Sequence, residues 1–106
     1  MILKEFEIKE LKMNGMKVGF EKAKLVFEQE FYILHSVKLS RLEWYVKVDY
    51  IETNLSALHK FRRAIDLELT TIKGEVLRGQ VIVTAMEGKV LTELTGLDKL
   101  KGYEVE

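Results

Sequence analysis

A mainly β, β-rich α+β domain is the fold class this sequence predicts: an antiparallel barrel or sandwich of about six to seven strands with one short helix near residues 54-64. Three observations carry that reading. Apolar and polar residues alternate with a period of two through Leu42–Tyr50, Ile65–Thr70 and Val76–Met86. Turn signals built on glycine, Asn14-Gly15, Lys73-Gly74-Glu75 and Glu87-Gly88-Lys89, separate the alternating runs. The chain has no proline, so no run is interrupted by a missing backbone donor and long ladders are permitted. Strands this numerous leave costly edges unless they close on themselves or pack as two sheets.

Taken in order, the first element is a hairpin. In Leu11-Lys12-Met13-Asn14-Gly15-Met16-Lys17-Val18 the residue types are symmetric about Asn-Gly, the pair favoured where both central residues need positive φ. Met13 then faces Met16 and Leu11 faces Val18, while Phe6 and Ile8 extend the first strand upstream. From Ala23 to Leu39 the odd positions Ala23, Leu25, Phe27, Phe31, Ile33, Val37 and Leu39 form a strand face broken by Gln29 and His35. Ala23, Val26, Phe27, Phe31 and Leu34 also fit a helical stripe over Glu21–His35. Aromatic and β-branched residues favour strand here, and residues 21–35 stay open between the two.

The next run is cleaner. Leu42, Trp44, Val46, Val48 and Tyr50 make one face of a half-buried strand, with Trp44 expected as a core anchor. After Glu52-Thr53-Asn54, the residues Leu55, Leu58, Phe61 and Ile65 fit one face of a helix started by the Asn54 side chain accepting a backbone N–H. Strands return with Ile65, Leu67 and Leu69, then Val76–Met86, where Gly79 marks a bulge or a close backbone approach. Val90, Thr92 and Leu94 follow the last turn, and Gly102–Glu106 is expected to close the sheet.

Composition bounds the function. The chain has 106 residues with 17 Lys+Arg against 17 Asp+Glu, a length and balance that predict a single globular domain over 1-106 with no global attraction to nucleic acid or anionic lipid. Without cysteine there is no disulfide framework, Cys-based metal site or thiol nucleophile. Met1-Ile2-Leu3 runs directly into Lys4-Glu5 without the apolar core of a secretory signal, and no apolar run is long enough for a membrane helix. A cytoplasmic protein, or one incorporated into a phage-type particle, is the expectation.

Catalytic chemistry finds little support. His35 and His59 lack the spacing that puts two imidazoles on one helix face, so no metal is expected. Ser36, Ser40 and Ser56 sit in no nucleophile motif, and Gly74 with Gly79 lacks the Lys-Ser/Thr of a phosphate loop. Glu28 and Glu30 share a strand face, where solvated positions are a commoner role than an acid/base pair. No catalytic residue, cofactor or metal is predicted, and a non-catalytic structural or protein-interaction module follows.

The residues Ile65-Asp66-Leu67-Glu68-Leu69, then Leu77-Arg78-Gly79-Gln80-Val81-Ile82-Val83-Thr84, then Leu94-Thr95-Gly96-Leu97 resemble the late strands and glycine-containing end of the phage tail-tube and related injection-tube proteins. The likeness spans Leu58–Leu100. It implies a self-assembling tail or particle component whose subunits pair edge strands with neighbours, with another protein or a second copy as partner. Under that expectation the hairpin tip Met13, Asn14, Gly15 and Met16 is the preferred assembly element. The alternative is a small nucleic-acid-binding β-barrel or regulatory adaptor. It would use the basic cluster His59, Lys60, Arg62 and Arg63 for phosphate contact and exposed aromatics among Phe27, Tyr32, Trp44, Tyr45 and Tyr50 for stacking.

Overall fold

The computed structural model describes residues 2–103, and the statements below concern those residues. Seven strands and one helix follow one another: β1 (Ile2–Met13), β2 (Met16–Val18), β3 (Lys22–Leu34), β4 (Val37–Asp49), α1 (Ser56–Lys60), β5 (Ile65–Thr71), β6 (Val76–Glu87) and β7 (Leu91–Gly96). All pairings are antiparallel and belong to one sheet of order β2-β1-β3-β4-β7-β6-β5. A further pairing of β1 with β5 closes that sheet in a ring. The fold is therefore mainly β, in one closed sheet rather than two stacked ones.

The Asn14-Gly15 hairpin has the expected register, with Leu11 opposite Val18, Lys12 opposite Lys17 and Met13 opposite Met16. Asn14 and Gly15 have φ of 51° and 81°, the left-handed values this two-residue turn requires. Along β1 the inward face changes parity: Phe6 and Ile8 pack toward the core, then Leu11 and Met13. The pairing with β5 shifts between Ile8 and Glu10, and one extra residue on β1 is enough to turn every later side chain to the opposite face.

Residues 21–35 contain strand, not helix. The chain reverses at His35 and Ser36, whose φ values of 50° and 64° are both left-handed, so Val37 and Leu39 belong to β4 rather than to a continuation of β3. The ambiguity arose because β3 and β4 keep the same alternation on both sides of a turn that contains neither glycine nor asparagine. Ala23, Leu25 and Phe27 of β3 and Trp44, Val46 and Val48 of β4 enter the core. Val26 and Tyr45, directly opposite each other on the outer face, are buried too, flanked by Lys24, Lys47, Glu28 and Glu93. Burial raises the Tyr45 phenol above its ordinary pKa, with Glu28, Glu93 and Glu5 adding to the shift.

The helix is shorter than the pattern suggested. Asn54 Oδ1 accepts the Ser56 N–H at 3.0 Å, as expected of a residue at a helix start, but only Ser56–Lys60 are helical. Leu55 is buried and Leu58 packs on the core, whereas Phe61 is exposed and Ile65 already opens β5. Arg62, with φ of 49°, ends the turn. In β6 the irregularity falls between Val83 and Ala85 and not at Gly79, whose neighbour is the Trp44 ring. The turns at Gly74 and Gly88 stand where expected; of the expected closing segment Gly102–Glu106, Gly102 and Tyr103 are in no strand, a single bridge joining Lys101 to Arg78 just before them, and residues 104–106 lie outside the described part.

Candidate functional site

Two stretches of backbone leave the ring together. Among the described residues β3 pairs with β1 as far as Glu28, and β4 pairs with β7 from Tyr45 onward. From Glu30 opposite Arg41 to Leu34 opposite Val37 the two strands meet no other described strand and form a two-stranded arm. Its side chains are unlike those of an ordinary exposed hairpin. On the face continuous with the core stand Phe31, Ile33 and Leu42; on the opposite face stand Tyr32, Leu34, Val37 and Leu39. Ile33 is 77% exposed, and Phe31, Tyr32, Leu34 and Val37 are each about half exposed. A free ribbon of two strands is marginally stable in water, and this one exposes apolar residues on both its faces.

Polar groups border this surface. The Lys38 ammonium lies 4.8 Å from the Phe31 ring centre on one face. On the other, Arg41 Nη2 contacts Glu43 and stands 3.9 Å from Glu30. Glu28 and Glu30 share the outer face, opposite Glu43 and Arg41 respectively, so the carboxylates expected to lie together do so beside a guanidinium.

At the base of the arm a cleft of about 450 Å³ opens between β4 and the chain after β7, lined by Phe27, Leu42, Trp44, Leu97, Asp98 and Tyr103 among others. It exists because the last segment abandons β4. The Trp44 ring lies against Gly96 and Gly79, and its indole N–H donates to the Asp98 carbonyl at 2.7 Å. A Cβ at Gly96 would stand 2.2 Å from Trp44 Cε2. From there the backbone is satisfied by β6 instead: Leu97 N–H donates to Gln80 O, the Asp98 carboxylate accepts the Gln80 N–H, and Arg78 and Lys101 exchange two bonds. Beneath the cleft Tyr103 stacks on Phe27 at 4.2 Å, with Phe6 edge-on to both.

The two groups singled out from sequence lie elsewhere. Met13 is in the core, and Asn14 holds β5 by donating its N–H to Asp66 O at 2.8 Å and accepting the Asp66 N–H on Oδ1 at 3.0 Å. Of that hairpin tip only Met16 offers a large apolar surface, at 73% exposed. His59, Lys60, Arg62 and Arg63 do come together on α1 and its exit, with Lys60, Arg62 and Arg63 exposed beside the exposed Phe61. Phe27, Trp44 and Tyr45, three of the five proposed stacking faces, are buried, while Tyr32 and Tyr50 are exposed.

Sequence reasoning did not single out the arm. Its signal was present in the density of apolar residues from Phe31 to Leu42, but that pattern marks a strand face or a helical stripe alike, and nothing local tells a strand that stays in the ring from one that leaves it. Among the described residues no three His, Asp or Glu side chains cluster as a metal cage, and no helix is long and apolar enough to cross a membrane. Comparison with protein-family models, with curated proteins and with solved structures found no match.

Proposed function

We propose that this chain is a non-catalytic structural or protein-interaction module that self-associates through the β3–β4 arm. One observation carries the reading: a two-stranded ribbon that no other described strand flanks exposes Phe31, Ile33, Tyr32, Leu34 and Val37 on its two faces. Covering those side chains supplies the driving force for association, at about 25 cal/mol per Å² of apolar surface removed from water. The likeness of Leu58–Leu100 to tail-tube proteins supports the same reading from a different part of the chain and gives a particle component as its form.

Native mass by light scattering, over a wide concentration range at low and high salt, tests it. The expected result is a multimer that persists in salt, as apolar contact does, and that dissociates in the double variant Ile33→Lys with Leu34→Lys. Both positions are exposed, so the variant's far-UV circular dichroism should match that of the parent and report an intact ring. A strict monomer at the highest concentration, or a multimer indifferent to both substitutions, overturns the proposal.

A further inference from the structure

We infer that the arm joins a second copy of this chain head to tail, the free edge of β3 in one copy pairing antiparallel with the free edge of β4 in the next, Phe31 opposite Ser40. This rests on the reading of the arm as the self-association element and adds the partner edge, the direction and the register.

The turn decides which backbone groups are available. In a two-residue hairpin of this kind the flanking pair, Leu34 and Val37, exchanges hydrogen bonds, and the pattern then alternates down the ladder. Tyr32 with Leu39 and Glu30 with Arg41 therefore bond inward. The N–H and C=O groups of Phe31 and Ile33 point out from one edge, and those of Lys38, Ser40 and Leu42 from the other. The parity agrees with the base of β4, where Tyr50 donates its N–H to Val90 on the β7 side at 3.1 Å. No described strand meets either edge along the arm. The β4 edge is kept open by construction, because Trp44 and Gly96 turn the chain after β7 onto β6.

Charge selects between the ways two such arms can meet. The arm portion of β3 carries Glu30 and no basic residue; that of β4 carries Lys38 and Arg41 and no acidic one. Two-fold pairing of β3 with β3, or of β4 with β4, brings like-charged strands side by side. Pairing β3 with β4 brings opposite ones together, and in the stated register it repeats each cross-strand combination of the hairpin itself: Glu30 against Arg41, Tyr32 against Leu39, Ile33 against Lys38. The faces also agree, since Phe31 and Ile33 share theirs with Ser40 and Leu42. Repeated strand order β3, β4, β3, β4 keeps every neighbour antiparallel. The contact is heterologous, so each copy retains one free edge and the assembly grows into a ring or a filament.

The absence of native cysteine makes a direct test clean. Across the interface Tyr32 and Leu39 form a non-hydrogen-bonded pair, the closer kind, suited to a disulfide. Two full-length single-cysteine variants, Tyr32→Cys and Leu39→Cys, differing in a size tag, are mixed and oxidised, and native mass is followed in parallel. Each chain carries one thiol, so every disulfide joins two copies. A severalfold excess of mixed over like disulfides is expected. An excess of like pairs means a two-fold contact: it overturns the head-to-tail arrangement and leaves self-association through the arm standing. A multimer without mixed disulfides overturns the register, and the response of its mass to Ile33→Lys with Leu34→Lys then reports separately on the arm. A monomer without disulfides overturns both.

Discussion

Replacing Gly96 by alanine should cost far more than a surface methyl group, and the cost should run through Trp44. The backbone at Gly96 is not left-handed, so conformational strain contributes nothing; the expense is steric. The new Cβ would lie 2.2 Å from Trp44 Cε2 and 2.5 Å from Nε1, against an ordinary carbon contact of about 3.5–4.0 Å. The indole must retreat by more than an ångström, yet it is buried and its N–H is held by the Asp98 carbonyl. Overpacking of a tight core costs about 1–3 kcal/mol. Loss of the indole hydrogen bond adds about 1 kcal/mol. A total near 2–4 kcal/mol corresponds to a fall in Tm on the order of 10–25 °C for a domain of this size. Urea and thermal unfolding followed by tryptophan fluorescence measure it, since this chain has a single Trp. In a Trp44→Leu background, followed by circular dichroism, Gly96→Ala should become mild, because the ring it strikes is gone. A Gly96→Ala effect within about 0.5 kcal/mol of zero, or one undiminished in the leucine background, refutes the reasoning.

Asn14→Ala should destabilise by about 1–3 kcal/mol, from left-handed strain and the lost bond to Asp66 N–H, whereas Met16→Lys at the same tip should change Tm little; thermal denaturation of both variants checks this. Glu68 is held below the usual carboxylate range by its hydrogen bond from Arg78 at 2.7 Å, with the Arg78 and Lys12 charges assisting. A depressed folded-state pKa stabilises above the unfolded pKa and loses that contribution as pH falls through the folded value, so any Tm advantage over Glu68→Gln should be present near neutrality and vanish on acidification. Reversing charge with Arg62→Glu and Arg63→Glu should leave native mass unchanged, because both residues lie outside the arm. In anisotropy titrations with a single-stranded oligonucleotide, salt-sensitive binding lost in that variant would instead assign phosphate contact to α1 and its exit.

Local chemistry made much of the fold legible. Asn-Gly between matched residues specified its hairpin and register, because few dipeptides tolerate two left-handed residues in succession. Period-two alternation identified β4 and β5, and Trp44 is the core residue its position implied. The boundaries that the sequence left unmarked share a cause. At His35-Ser36 two residues without glycine's freedom adopt left-handed φ because thirteen cross-strand pairs in β3 and β4 support the turn. At α1 the helical stripe Leu55, Leu58, Phe61, Ile65 was cut short because Ile65 is used by β5, where sheet pairing outweighs local propensity.

The candidate site was less legible than the fold. The residues Phe31–Leu42 carry the same alternation whether buried or exposed, and exposure depends on where β1 and β7 stop pairing with their neighbours. The stopping point of β7 depends in turn on an indole ring 52 positions away in sequence, fitted over Gly96 and bonded to Asp98. By itself the sequence determined the mainly β class, the Asn-Gly and glycine turns and the inward face of β5, because these depend on neighbouring residues and on side-chain period. Ring closure through β1 and β5, the bulge that reverses β1, and the release of the arm were decided only in the tertiary structure, since each depends on contacts between residues distant in the chain.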